Sequence, residues 1–63
     1  MNIETAKKMR VGDEVVLKDC GLVSTIITSG LPLSGDALLF EVRNRYDGVI
    51  EVTNNEIEPF DVV

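Results

Sequence analysis

Leu38 to Phe60 reads LLFEVRNRYDGVIEVTNNEIEPF, and this stretch decides the fold class of the chain. Two apolar-rich runs flank Tyr46-Asp47-Gly48. Asp-Gly between alternating runs is a strong hairpin signal, because glycine enters the left-handed conformation that tight turns require. Burial sets the register. A two-residue Asp47-Gly48 loop places Arg43 opposite Val52 and Arg45 opposite Ile50, which mixes core and solvent faces. A three-residue loop, Tyr46 to Gly48, pairs Arg45 with Val49, Asn44 with Ile50, Arg43 with Glu51 and Val42 with Val52. Phe40, Val42, Ile50 and Val52 then share one face. A one-residue slip would turn every side chain over, so the pattern selects the longer loop. That register predicts a cross-strand Arg43–Glu51 pair contributing roughly 0.2–1 kcal/mol, and a left-handed Gly48. Beyond it, Thr53-Asn54-Asn55-Glu56 reads as a tight turn and Ile57-Glu58-Pro59-Phe60 as a short last strand. Pro59 has no N–H to give to a ladder and belongs on an edge.

Upstream, Asn2 is placed to cap a short helical turn through Met9, with Ile3, Ala6 and Met9 along one side. Glu14 to Lys18 alternates, Val15 and Leu17 on one side and Val16 on the other. Asp19-Cys20-Gly21 has the shape of Tyr46-Asp47-Gly48; a similar turn there pairs Leu17 with Val23, Val15 with Thr25 and Asp13 with Ile27. Leu22 to Thr28 is rich in β-branched residues and apolar on both faces, as expected of a strand shared between the two halves of a small barrel. Ser29 to Asp36, punctuated by Gly30, Pro32, Ser34, Gly35 and Asp36, reads as the longest loop, with no strand or helix continuing through it. It carries two leucines, Leu31 and Leu33.

The chain has 63 residues, and it shows no repeat, low-complexity tract or linker; it reads as one domain, 1–63. A core this small rarely supplies more than ~3–5 kcal/mol. One cysteine and no histidine exclude an intrachain disulfide and a cysteine–histidine zinc cage. No 18-residue apolar run and no basic-then-apolar leader is present, which points to a soluble, cytoplasmic protein with no membrane partner. The net charge of −5 argues against general polyanion binding. Charge is segregated: Lys7, Lys8 and Arg10 lie near the start, whereas Asp47, Glu51, Glu56, Glu58 and Asp61 lie near the end without a base among them.

Five short strands joined by a tight turn, a long loop, another tight turn and a one-turn connection follow the order of a five-stranded SH3-like small barrel, all-β with a short N-terminal helical turn. Arg10-Val11-Gly12-Asp13-Glu14-Val15-Val16-Leu17-Lys18 resembles the opening of several such families, including KOW-like and Tudor-like modules and small bacterial and phage barrels. Asp47-Gly48-Val49-Ile50-Glu51-Val52 and Glu56-Ile57-Glu58-Pro59 resemble their close. The likeness spans most of residues 10–60 and rests on turns, so it implies a scaffold rather than a ligand. The chain also departs from these families. It is acidic where RNA-binding KOW loops are basic, and Phe40, Tyr46 and Phe60 are too few for a Tudor cage. It has no tryptophan for a proline-binding groove.

Catalysis needs a nucleophile beside a base, a poised acid and base, or a metal with an open position. Only carboxylates and Cys20 are on offer. Glu56, Glu58 and Asp61 read as a solvated acidic rim rather than a cation site, and Cys20 has Asp19 nearer than Lys18, which opposes a reactive thiolate. No catalytic residue, metal or cofactor is assigned. Two binding surfaces remain. Leu31, Pro32 and Leu33 form an apolar segment that either plugs the barrel mouth or meets a protein partner or a second copy of the chain. Lys7, Lys8, Arg10 and Lys18 form a candidate basic patch, extended by Arg43 and Arg45, for nucleic acid or a ribonucleoprotein. The expectation is a small non-enzymatic protein-binding module, with a nucleic-acid accessory module as the alternative.

Overall fold

A computed structural model describes residues 1–33, 35 and 37–60. The chain forms α1 (Ile3–Lys7), β1 (Glu14–Leu17), β2 (Val23–Pro32), β3 (Leu38–Asn44), β4 (Gly48–Thr53), a single 3-10 turn (Asn54–Glu56) and β5 (Ile57–Pro59). The strands make one antiparallel sheet in the order β4-β3-β2-β1-β5. The fold is therefore all-β with one short helix. The sheet is open: β4 and β5 are its two edges, and no ladder joins them among the described residues. A closed barrel, expected from the strand order, is not formed by these ladders. The physical reason lies in β5, which spans only Ile57–Pro59, already pairs with β1 on one side, and ends in a proline that cannot donate to a second ladder. Pro59 thus sits on an edge, as its chemistry requires.

The hairpin that decides the fold forms with its buried face as expected: Phe40, Val42 and Val52 are buried and Ile50 packs against them. Its pairing differs. Asn44 pairs with Gly48, Arg43 with Val49, Val42 with Ile50, and Phe40 with Val52. The loop is Arg45-Tyr46-Asp47, one residue earlier than the sequence implies. Each residue's partner shifts by two positions, so the faces survive while the cross-strand pairs change. Arg43 no longer meets Glu51; Glu41 does, and two like charges stand opposite each other. Asn44 supplies the reason. Its Oδ1 accepts from the backbone N–H groups of Tyr46 at 2.9 Å and Asp47 at 2.7 Å, which tightens the turn immediately after it. Gly48 closes the ladder with φ of +70°, the left-handed value expected.

The first hairpin is also displaced. Leu17 and Leu22 are hydrogen-bonded at 2.9 Å, leaving Lys18-Asp19-Cys20-Gly21 as a four-residue loop, and Val15 pairs with Ser24 rather than Thr25. Val15, Leu17, Ser24 and Ile26 consequently share the buried face, while Val23 and Thr25 are exposed.

β2 is the element least foreseen, because it runs on through Gly30, Leu31 and Pro32, where a loop was expected. Leu31 pairs with Leu39 and Pro32 with Leu38 after two register shifts, between Ile26 and Thr28 and between Thr28 and Leu31. Two features make this possible. Past Ile26, β2 has no partner on its β1 side among the described residues, so Pro32 stands on a local edge where its missing N–H costs no ladder bond. Gly30 passes directly over the Phe40 ring: a Cβ there would lie 2.9 Å from its Cζ atom.

The core comprises Met1, Ala6, Val15, Leu17, Ile26, Phe40, Val42, Val52 and Ile57, with Met9, Leu22, Leu38 and Ile50 packed around it. α1 is capped by Asn2, whose Oδ1 accepts from the Thr5 N–H at 2.8 Å. It is shorter than the stretch through Met9, but Ala6 and Met9 still point inward. Asn54 is 2% exposed and joins three segments: its Oδ1 accepts from Leu38 N–H and its Nδ2 donates to Met1 O, both at 3.0 Å. A second buried amide, Asn44, donates from Nδ2 to Ser24 Oγ at 3.1 Å and so ties β3 to β2. No helix is long and apolar enough to cross a membrane.

Candidate functional site

Leu31, Pro32 and Leu33 are all solvent-exposed, Leu31 by 60% and Leu33 by 40%. The leucines therefore do not plug the core. They occupy the far end of the β2–β3 ribbon, where Leu33 N–H donates to Ala37 O at 2.9 Å and so continues the pairing past Pro32 and Leu38. Paired backbone holds this apolar segment outward, rather than a free loop. Pro32 fixes its own φ and restricts Leu31 before it.

The four bases Lys7, Lys8, Arg10 and Lys18 are exposed, but Lys18 is drawn into another arrangement. Its ammonium lies 3.1 Å from Glu58 Oε1, and the N-terminal ammonium lies 3.2 Å from the same oxygen. The Lys18 hydrogen bond, and after it the N-terminal ammonium, hold the Glu58 carboxyl below its ordinary range. The N-terminal ammonium also donates to Asn54 O and Ile57 O, both at 2.6 Å. This knot lies beside a shallow depression of about 370 Å³ lined by Met1, Asn2, Thr5, Lys18, Asn55 and Glu58. It ties Met1 to the 3-10 turn and to β5. Lys7, Lys8 and Arg10 line neither this depression nor the larger one.

Arg43 and Arg45 belong to that larger depression, about 580 Å³, on the outer face of β2 and β3. Val23, Thr25 and Ile27, alternate residues of β2, form its floor, and Val11 stands over one side with 61% of its surface exposed. Gly12 N–H fastens that side to Ile26 O at 2.8 Å. The double-sided apolarity of β2 is thus only half used: Ser24 and Ile26 face the core, while the other side remains open. The sequence offered a signal for this surface, two-sided β2 beside the alternating arginines Arg43 and Arg45, but the reading divided it between barrel interior and basic patch.

Cys20 is exposed in the first hairpin loop. No group of three or more metal-ligating side chains gathers among the described residues, and Glu56 is engaged elsewhere, its Oε1 accepting from Thr53 N–H at 2.9 Å and Thr53 Oγ at 3.1 Å. Asp61 lies outside the described residues. No protein-family model, curated protein or solved structure matches the chain.

Proposed function

We propose that the chain is a small non-enzymatic binding module on an SH3-like scaffold, docking a protein partner through Leu31-Pro32-Leu33. The scaffold reading draws support from the strand order β4-β3-β2-β1-β5 and from the single 3-10 turn between β4 and β5. The docking reading rests on one observation: two leucines are held outward on paired backbone at the end of β2, although a domain this small has every reason to bury them. The nucleic-acid alternative through Lys7, Lys8, Arg10 and Lys18 has less support, since Lys18 is engaged by Glu58 and the chain carries a net charge of −5.

The test is the double variant Leu31→Ser/Leu33→Ser. Both positions are exposed, so its unfolding free energy should stay within about 0.5 kcal/mol of the parent. Affinity capture from native cells at low and high salt should retain a protein with the parent, insensitively to salt, and lose it with the variant. Marked unfolding of the variant, or capture that is unchanged, would refute the docking site. Salt-sensitive recovery of nucleic acid would install the alternative.

A further inference from the structure

We infer that the depression over β2 and β3 is a second binding site, distinct from Leu31-Pro32-Leu33, and that it takes an extended acidic peptide segment in which carboxylates alternate with aliphatic residues. It lies at the other end of β2, six residues from Thr25 to Leu31, or roughly 20 Å at ~3.3 Å per residue.

The argument begins with the walls. Arg43 is an outward residue of β3, on the face opposite buried Val42 and Asn44, and Arg45 is the first residue of the turn that follows β3; both are exposed. Val11, Val23 and Ile27 form the other side and part of the floor. The trough therefore has a basic wall and an aliphatic wall. In an extended peptide successive side chains point to opposite sides and alternate ones recur every ~6.6 Å, so one set faces the basic wall and the other the aliphatic wall. A segment lying along the trough with carboxylates at alternate positions would present them to both guanidinium groups, with its aliphatic residues against Val11, Val23 and Ile27. Guanidinium pairs with carboxylate through two parallel hydrogen bonds, which favours arginine over lysine at such a wall.

Charge supports the same occupant. The described ion pairs are Met1–Glu58 and Lys18–Glu58, so neither arginine is paired with a carboxylate among the described residues. Glu14 shares the outer face but stands across Thr25, on β1; Glu41 and Glu51 oppose each other two residues along from Arg43. None of the three lines the trough. The net charge of −5 repels an acidic ligand at long range, but screening limits that repulsion to about 8 Å at physiological salt. Size and lining decide against other occupants. A stable homodimer covers about 800 Å² on each copy, close to a fifth of the chain's 4264 Å² surface, whereas 580 Å³ is the scale of a pocket that receives a few side chains. Single-stranded nucleic acid calls for aromatic platforms, and valine, threonine and isoleucine make this floor.

Fluorescence anisotropy with labelled peptides tests the inference. The probes are an eight-residue peptide alternating Glu and Val, a peptide of the same composition with the acids and valines in separate blocks, and a labelled oligothymidylate. The alternating peptide should bind saturably and at least about tenfold more tightly than the blocked one. Arg43→Ala/Arg45→Ala should weaken it by about tenfold or more, and Arg43→Lys/Arg45→Lys should fall between. Leu31→Ser/Leu33→Ser should leave it unchanged, which separates this site from the proposed docking segment. Unfolding midpoints of the arginine variants verify that the fold persists. Equal binding of the two peptides, binding indifferent to both arginines, no peptide binding at all, or preferential binding of the oligothymidylate through Arg43 and Arg45 would each overturn the inference. So would concentration-dependent dimerisation that is abolished by the arginine variants.

Discussion

Adding a single glycine before Met1 should nearly unfold this domain. The N-terminal ammonium donates to Asn54 O and Ile57 O at 2.6 Å each, and Met1 is 6% exposed. An added residue converts the ammonium into an amide with one N–H, so at most one of the two carbonyls keeps its donor. Leaving the other unsatisfied in a buried site costs about 1–3 kcal/mol, and exchanging a charged donor for a neutral one weakens the bond that survives by roughly 1 kcal/mol. The ion pair with half-exposed Glu58 adds little to this. The expected loss is therefore about 2–4 kcal/mol, comparable with the ~3–5 kcal/mol that a core of this size rarely exceeds. Urea denaturation followed by far-ultraviolet circular dichroism measures it, with the parent released from a C-terminal fusion so that it begins at Met1. If the extended chain unfolds at the parent's midpoint with an unchanged slope, the ammonium is not a structural element and the account of the Met1–Asn54–Ile57 knot is wrong.

Three further outcomes are expected. Gly30→Ala should cost about 1–3 kcal/mol by overpacking, because the new Cβ would meet the fully buried Phe40 ring at 2.9 Å. Gly48→Ala meets nothing within 4 Å and should cost about 1–2 kcal/mol through its φ of +70° alone, with Asp47→Ala milder than either; denaturation midpoints that rank Asp47→Ala as the most damaging would contradict both assignments. Acid should remove the contribution of Glu58: its carboxyl is held low in the folded state, so its stabilisation is present above its unfolded pKa and lost as pH falls through the folded one. The stability gap between the parent and Glu58→Gln should accordingly close between neutral pH and about pH 3, and a gap that widens on acidification would show that the carboxylate is not stabilised by Lys18 and the N-terminus.

Much of the architecture was legible because it rests on short-range rules. Alternation placed Phe40, Val42, Ile50 and Val52 on one face; Gly48 marked a left-handed turn; Asn2 marked a helix start; and Pro59 marked an edge. Each depends on one residue's conformational or hydrogen-bonding limits, or on the two-residue repeat of a strand. Tertiary contacts decided the rest. The Asn44 amide, bonding Ser24 across the sheet and its own turn along it, moved the hairpin register by two residues and left Glu41 opposite Glu51. β2 continued through Gly30 and Pro32 because Phe40 lay beneath one and no neighbouring strand needed an N–H from the other. Local composition cannot report either circumstance. The same holds for the candidate sites. Exposure of Leu31 and Leu33 depends on what covers them, and the trough exists only where β2, β3 and the Val11 segment meet. Residue types set which local conformations were available, but distant partners selected among them, because burial and the satisfaction of polar groups are properties of the assembled fold.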